Sequence, residues 1–207
     1  QYQNSNIYKF MKKHNISSLE ELSEKSKTNL EWFWESVEKD IGIVWDAPYT
    51  KTLDTSNGIP WTKWFVEGKT NLYKSSVEKF TKQTPEKIAY NFISEDGIET
   101  KLSYVELNTK VSKLANVFKS LGVKKGDVIA IYLPMIEEAI VSILAAAKIG
   151  AVQTIVFSGY SSESLKTRLQ DCHAKILITS DGFHRKGKAI SQKTTVDNAV
   201  IDTDIEK

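Results

Sequence analysis

The second half of the chain alternates short apolar runs with longer amphipathic segments. Apolar residues dominate positions 128–133, 151–157 and 175–179, and helical periodicity covers positions 136–149 and 162–171 between them. Strands that are apolar throughout are typical of a parallel sheet covered by helices on both faces, and the crossovers that join such strands are right-handed. The pattern therefore predicts an α/β fold containing a parallel β-α-β-α-β sheet unit with flanking helices.

A β-hairpin is predicted upstream of this sheet unit. Asp96 and Gly97 form a dipeptide typical of tight hairpin turns, and they separate two strand-like segments at positions 87–93 and 98–102. A short helix is expected over positions 71–83, because a proline follows it almost at once.

A longer helix is predicted between the hairpin and the sheet. Ser103 and Glu106 match a capping box, in which each residue bonds a free N–H group at the start of a helix. Apolar residues then recur every three or four positions until Gly122, a residue type that commonly ends helices. This apolar stripe consists of Leu107, Val111, Leu114, Phe118 and Leu121.

The first third of the chain differs in composition. It holds all five tryptophans, which are Trp32, Trp34, Trp45, Trp61 and Trp64. Thr28 and Glu31 match a second capping box, which predicts a helix that ends at Gly42. The segment after this helix mixes single aromatic residues with proline and glycine, so it is predicted to be irregular. We therefore expect an aromatic-rich N-terminal extension, part helical and part irregular, over residues 1–65 and the first part of a larger domain over residues 66–207.

Composition and charge exclude several classes of function. The 207 residues include 28 basic and 26 acidic ones, a net charge of +2, which is too nearly neutral to predict nucleic-acid binding. The single cysteine, Cys172, excludes an intramolecular disulfide, and no basic-then-apolar signal stands at the N-terminus, so we expect a cytoplasmic protein. The most apolar stretch, positions 136–149, is too short and too charged to span a bilayer.

Ligands of parallel sheets bind at the carboxyl ends of the strands, which places the expected site at positions 134–135, 157–160 and 180–188. Only Arg168 and Arg185 are arginine among the basic residues. An arginine holds a carboxylate or phosphate with two parallel hydrogen bonds, which a lysine cannot do. Arg185 and Lys188 therefore suggest a shared anion site, and the alternative is a solvated basic turn.

Other motifs for chemistry are incomplete. Positions 182–189 approach a phosphate-binding loop, but Ala189 stands where the loop needs a Ser or Thr hydroxyl for magnesium. His14, His173 and His184 lack the spacing of metal ligands, so we expect no metal site. No nucleophile or acid–base pair is evident, and we expect no catalytic residue in this chain.

Most of the chain resembles the N-terminal part of AMP-forming acyl-CoA synthetases of the acetyl- and propionyl-CoA synthetase type. The similarity lies in LGVKKGDVIAIYLPMIEEAIVSILAAAKIGAVQTIVFSGYSSESL from Leu121, then in RLQDCHAKILITSDGFHRKGK from Arg168. Upstream, WFVEGKTNLYKSSVEK and LSYVELNTKVSKLANVFKSLG resemble the same family in the same order.

The resemblance implies an adenylate-forming enzyme whose substrates are a short-chain carboxylate, ATP and coenzyme A (CoA). It implies that Phe157, Ser158 and Gly159 form a turn beside CoA, although Ser158 replaces a glycine of the family pattern. It implies that Arg185 and Lys188 face the nucleotide end of CoA, although Lys188 replaces an arginine. The family's ATP and Mg²⁺ site lies beyond this sequence, so we expect a fragment of a large domain that is inactive alone.

Two alternatives remain at this stage. One is a free-standing binding module of the same fold without the chemistry, which would use an open sheet edge to form a homo-oligomer. The other is a nucleotide-binding protein with a phosphate-binding loop at positions 182–189. The identity of the carboxylic acid is not expected to follow from these residues. Beyond small molecules, the expected partners are the remainder of the parent chain and a second copy in a homo-oligomer, whose state the sequence leaves open, with no nucleic acid or membrane.

Overall fold

The computed structural model of the chain describes residues 2–95 and 97–207, which form two compact units. The first unit extends to Thr70 and the second covers Asn71–Lys207. The domain boundary predicted from the sequence near residue 65 stays a prediction.

The first unit is a small helical cluster followed by short strands. Its core consists of Phe10, Met11, Ile16 and Leu22, and Phe33 packs against them. The strands form two antiparallel pairs, β1 with β4 and β2 with β3. The elements are α1 (Asn6–Lys13), α2 (Leu19–Thr28), α3 (Leu30–Ile41), β1 (Trp45–Ala47), β2 (Lys51–Asp54), β3 (Lys63–Val66) and β4 (Lys69–Thr70), with 3-10 turns at Tyr2–Asn4 and Ile59–Trp61.

The capping box predicted at Thr28 is wrong by one residue. Thr28 is the last residue of α2, and its hydroxyl donates to the carbonyl oxygen of Glu24 at 2.9 Å. The N-cap of α3 is Asn29, whose side-chain oxygen accepts from the N–H of Trp32 at 3.1 Å. Asparagine caps helices at least as well as threonine does, and Thr28 is not available as the cap of α3 because it belongs to α2. The predicted end at Gly42 is confirmed, since Gly42 adopts a left-handed conformation with φ of 67°.

The second unit contains the parallel sheet. Strand β7 lies in the middle, and β8 and β9 pair with it in parallel on either side. The predicted parallel β-α-β-α-β unit is therefore confirmed. The elements of the unit are α4 (Lys79–Gln83), β5 (Ile88–Ile93), β6 (Glu99–Ser103), α5 (Tyr104–Ser120), β7 (Val128–Tyr132), α6 (Glu137–Ile149), β8 (Val152–Ile155), α7 (Ser162–Cys172), β9 (Ile176–Thr179), β10 (Gly182–Arg185), β11 (Lys188–Ser191) and α8 (Lys193–Ala199), with a π-helical turn at Lys74–Glu78 before α4.

The elements predicted before the sheet form where expected. Strands β5 and β6 pair antiparallel, although Asp96 of the predicted turn lies outside the described residues. The capping box of α5 is confirmed, with the Glu106 carboxylate accepting from both the hydroxyl and the N–H of Ser103. The helix predicted at positions 71–83 forms over positions 72–83, with a π-helical turn in its middle.

The core divides between the two faces of the sheet because successive residues of a strand point to opposite faces. Ile129 and Ile131 of β7 pack in one cluster with helices α5 and α6. Ala130 and Tyr132 of the same strand pack in the other cluster with α7 and α8. Strand β7 is thus buried on both faces, and its carboxyl end is fixed from both sides.

The structure contradicts a phosphate-binding loop at positions 182–189. A phosphate-binding loop curls between a strand and the start of a helix. Here β10 and β11 form an antiparallel hairpin instead, with Lys186 and Gly187 at its turn. Both turn residues have positive φ, 52° and 71°, as a tight two-residue hairpin turn requires.

Candidate functional site

Three chain segments meet at the carboxyl edge of the parallel sheet. Residues 134–135 follow β7, residues 157–160 follow β8, and the β10–β11 hairpin follows β9. They meet because parallel strands all end at the same edge, which is where such sheets bind ligands. We call residues 157–160 the aromatic turn and residues 182–191 the basic hairpin.

The aromatic turn exposes a phenylalanine at the sheet edge. Within this turn, the N–H of Tyr160 donates to the carbonyl oxygen of Phe157 at 3.1 Å, and this bond closes the turn. The Phe157 ring is 59% exposed and stands edge-to-face against the Tyr160 ring, with 5.9 Å between centroids. The turn thus presents an apolar ring to solvent beside polar main-chain groups.

Gly159 is the point where the aromatic turn meets the basic hairpin. A Cβ atom built on Gly159 would lie 2.5 Å from Cε1 of Phe157 and 3.3 Å from Nη1 of Arg185. The absence of a side chain lets the main chain, the ring and the guanidinium approach one another. The structure therefore brings together two of the segments that the sequence singled out separately.

The basic hairpin carries Arg185 and Lys188 on the two sides of its turn. Their Cα atoms are register partners, and residues paired in this way share one face of a hairpin. Both side chains are exposed, and within residues 2–95 and 97–207 neither has a carboxylate partner. At the turn itself, the N–H of Lys186 donates to the carboxylate of Glu95, which follows β5.

Arg185 lines two of the cavities beside the basic hairpin. One, of about 220 Å³, lies against the aromatic turn and includes Ser158, Gly159 and Tyr160. The other, of about 480 Å³, is lined by Pro134 and neighbouring residues, including Glu95 and His184. The first cavity is the better candidate for a ligand that contacts both Gly159 and Arg185, because both residues line it. Lys188 lines neither cavity.

The second arginine of the chain also lies at the aromatic turn. The guanidinium carbon of Arg168, on α7, stands 4.5 Å from the centroid of the Tyr160 ring, the geometry of a cation–π contact. Arg168 also donates to the carbonyl oxygen and hydroxyl of Ser164, at 2.9 and 2.7 Å. Both arginines thus contact the aromatic turn. Composition alone did not indicate that they lie near each other.

Sequence reasoning missed the buried polar groups beneath the site. Tyr132 ends an apolar run and looks like a core residue, yet its hydroxyl lies within hydrogen-bond distance of two carbonyl oxygens of the aromatic turn. Gln192 sits in a polar segment and looks like a surface residue, yet it is fully buried. No periodicity distinguishes these residues, because their roles depend on contacts between segments far apart in the chain.

No group of three or more histidine, cysteine, aspartate or glutamate side chains in the described part of the chain has the arrangement of a metal site. No helix among the same residues combines the length and the apolar character that crossing a bilayer requires.

The chain matches two family models in succession. A model of the acetyl-coenzyme A synthetase N-terminus matches residues 19–75, and a model described as AMP-binding enzyme matches residues 77–206. Together they cover most of the chain, in the order in which the two units occur.

Several characterised proteins are similar to the chain over nearly its whole length. An acetyl-coenzyme A synthetase of Methanothrix thermoacetophila is 42% identical over 198 residues, which is 95% of this chain and 30% of that protein. Acetyl-coenzyme A synthetase 2 of Saccharomyces cerevisiae is 40% identical over 187 residues, 90% of this chain and 27% of that protein.

A solved structure is similar as well. The acetoacetyl-CoA synthetase from Streptomyces lividans superposes with a TM-score of 0.85 and 26% sequence identity, covering 95% of this chain and 31% of that one. The chain therefore spans about 30% of the length of the relatives that it matches.

Proposed function

Since the chain belongs to the family of AMP-binding enzymes, we propose that it is the front part of an AMP-forming acyl-CoA synthetase and contributes part of its CoA-binding surface. The observation that carries the proposal is the close approach of Gly159 to Arg185, two positions to which the resemblance assigns contacts with CoA. The acetyl- and acetoacetyl-CoA synthetases among its relatives support a short-chain carboxylate as the acyl donor.

The reaction proposed for the whole enzyme has two steps. A carboxylate oxygen attacks the α-phosphorus of ATP, and the bond to the bridging oxygen breaks, so that an acyl-adenylate forms and pyrophosphate leaves. The sulfur of CoA then attacks the acyl carbon, loses its proton and expels AMP. We assign no residue of this chain to either bond-making step, and Mg²⁺ for the first step would be bound outside these residues.

The basic hairpin fits the nucleotide end of CoA, which carries phosphate groups. Arg185 offers a planar fork of N–H donors that matches a phosphate, and Lys188 adds a charge on the same face. Because Lys188 stands where the family has arginine, we expect Arg185 to make most of the directed hydrogen bonds.

The aromatic turn fits the less polar parts of CoA. The exposed ring of Phe157 offers a surface for a base or for the pantetheine chain. Gly159 allows a close approach of the main chain. Ser158 is half-buried and its carbonyl oxygen lies 3.0 Å from the Tyr132 hydroxyl, so this side of the turn is held from within.

The decisive experiment separates the two half-reactions in the enzyme that contains this chain. Arg185→Ala removes a charge-assisted hydrogen bond, so we expect a KM for CoA raised about tenfold or more. Pyrophosphate exchange, which reports adenylate formation alone, should stay near the wild-type rate. Lys125→Ala is the matched control, because it removes an exposed charge before the amino end of β7, at the opposite edge of the sheet. Equal loss of both half-reactions would refute the assignment of Arg185.

The chain alone is proposed to lack ligase activity and to bind CoA weakly, because the resemblance assigns the adenylate site to residues that follow these. Formation of acyl-CoA by the purified 207-residue chain would contradict this. A reading frame that continues beyond residue 207 into a Ser/Thr/Gly-rich phosphate loop supports the synthetase.

A free-standing binding module is the second candidate function. Strand β8 lies at the edge of the sheet and exposes Val152 and Ile155, which suits pairing with a second copy. A reading frame that ends at residue 207, with a concentration-dependent dimer in sedimentation, would favour this candidate.

A further inference from the structure

A buried tyrosine lies directly beneath the aromatic turn. Tyr132 is 1% exposed and packs among the apolar residues of α7 and α8. Its hydroxyl oxygen lies 2.7 Å from the carbonyl oxygen of Tyr160 and 3.0 Å from that of Ser158. Burial raises the pKa of Tyr132, and its single O–H proton is shared between these two carbonyl oxygens.

The main chain of the same tyrosine is tied to the basic hairpin. Gln192, which directly follows β11, donates from Nε2 to the carbonyl oxygen of Tyr132 at 2.9 Å. Its side-chain oxygen accepts from the hydroxyl of Ser180 at 2.8 Å, and its N–H donates to the carbonyl oxygen of Asp181 at 2.8 Å. Gln192 is 1% exposed, so these bonds are shielded from water and fix the ends of the hairpin against β7 and β9.

Tyr132 therefore connects the two segments that form the candidate site. The hydroxyl of Tyr132 bonds the aromatic turn, which contains Gly159. Its main-chain carbonyl bonds Gln192 at the base of the basic hairpin, and Arg185 lies in β10 of the same hairpin. The ring of Tyr132 is fixed by the core cluster that includes Leu165 and Leu169. The spacing between Gly159 and Arg185 is thus set by a rigid residue that contacts neither of them by hydrogen bonds.

We propose that Tyr132 is a positioning residue for CoA, holding the aromatic turn at the distance from Arg185 that CoA recognition requires. This inference rests on the proposed function of the site. A site that is held in its binding geometry before the ligand arrives loses less free energy on ordering, so loosening the turn should weaken binding of CoA without touching the ligand itself.

The effect of the Tyr132 hydroxyl on the aromatic turn is first measured on the 207-residue chain. Tyr132→Phe keeps the ring and removes the hydroxyl, so exchange of the Tyr160 amide hydrogen, which bonds the carbonyl oxygen of Phe157, should accelerate about fivefold, the factor for one lost hydrogen bond. Tyr73→Phe is the matched control. Tyr73 is also buried and its hydroxyl bonds Asn108 and Lys148, but it belongs to the core cluster on the other face of the sheet. This control should leave exchange at the aromatic turn unchanged.

The role is then measured in the enzyme that contains this chain. We expect Tyr132→Phe to raise the KM for CoA about three- to tenfold while pyrophosphate exchange stays near wild type, as the loss of one or two hydrogen bonds implies. Tyr73→Phe should change neither. Should Tyr132→Phe lower the melting temperature much more than Tyr73→Phe, Ser180→Ala tests the same network through Gln192, and it too should raise the KM for CoA selectively.

The outcomes separate this proposal from the function on which it rests. A wild-type enzyme that forms no acyl-CoA refutes the proposed function, and the positioning role falls with it. An active enzyme in which Tyr132→Phe and Tyr73→Phe have the same KM for CoA refutes the positioning role alone. A selective rise in the KM for CoA, together with faster exchange at the turn, supports it.

Discussion

Two glycines at the candidate site have equally short contacts but should respond differently to alanine. A Cβ atom on Gly159 would lie 2.5 Å from Cε1 of Phe157, and a Cβ atom on Gly182 would lie 2.6 Å from the carbonyl oxygen of Ile190. Since carbon atoms pack at about 3.5 to 4.0 Å, the neighbour of Gly159 must move by about 1 Å. The Gly182 neighbour must also move by several tenths of an ångström.

The difference lies in what must move. The atom that faces Gly159 is the far end of a ring that is more than half exposed, and such a ring can rotate away at little cost. The atom that faces Gly182 belongs to the main chain of β11, and moving it breaks the pairing of the basic hairpin. We therefore expect Gly182→Ala to lower the free energy of unfolding by about 1 to 3 kcal/mol, as overpacking does, and Gly159→Ala to change it by about 0.5 kcal/mol or less.

Urea unfolding of the 207-residue chain measures both values, and amide hydrogen exchange in β10 and β11 measures the hairpin directly. In the enzyme that contains this chain, Gly159→Ala should still raise the KM for CoA, because the displaced ring and the added methyl group crowd Arg185. Gly159→Ala would refute this reasoning if it destabilised the chain as much as Gly182→Ala, since the ring would then not be free to move.

Three further predictions test the fold. Hydrogen bonds from Ser103 lower the pKa of Glu106 in the folded chain. The stability that Glu106 contributes should therefore be complete above the ordinary glutamate pKa and be lost as the pH falls through the lowered value. The free energies of urea unfolding of wild type and Glu106→Gln should then become equal in acid. Asn29→Ala should lower the free energy of unfolding by about 1 kcal/mol, because it removes the N-cap of α3. Thr28→Ala should lower it much less, because Thr28 does not cap α3. Equal losses would mean that Thr28 is the N-cap, as the sequence predicted. Leu107→Ala should cost about 2 to 5 kcal/mol because Leu107 is fully buried, and a loss under 1 kcal/mol would mean that the core of α5 is misplaced.

The predictable part of the fold is the part specified by local chemistry. The capping box of α5 and the glycine that ends α3 formed as predicted, because the groups involved lie within four residues of one another. Helices α1 and α2 were missed altogether. Helix α1 has an apolar face but spans only eight residues, and α2 has few apolar residues. Thr28 was assigned to the wrong helix because it ends α2 and the next residue, Asn29, caps α3.

The candidate site divides in the same way. The positions of Phe157, Ser158 and Gly159 came from a resemblance to family motifs, and so did the role suggested for Arg185 and Lys188. Their local structure was partly misjudged, because the spacing of positions 182–189 imitates a phosphate-binding loop while the chain forms a hairpin. A spacing of three places side chains together in a helix and also across a two-residue turn, and the sequence does not distinguish these cases.

The sequence by itself determined the order of the elements from β5 to β9, including the parallel sheet, and the sheet edge at which the candidate site lies, because apolar periodicity and strand direction are local or nearly local properties. Only the tertiary structure decided that Gly159 meets Arg185, that Arg168 stacks on Tyr160, and that Tyr132 and Gln192 tie the two segments together. These contacts join residues between 8 and 60 positions apart in the chain. They exist because the burial of β7 on both faces brings the ends of three strands to one place, where buried polar groups must find partners or cost free energy.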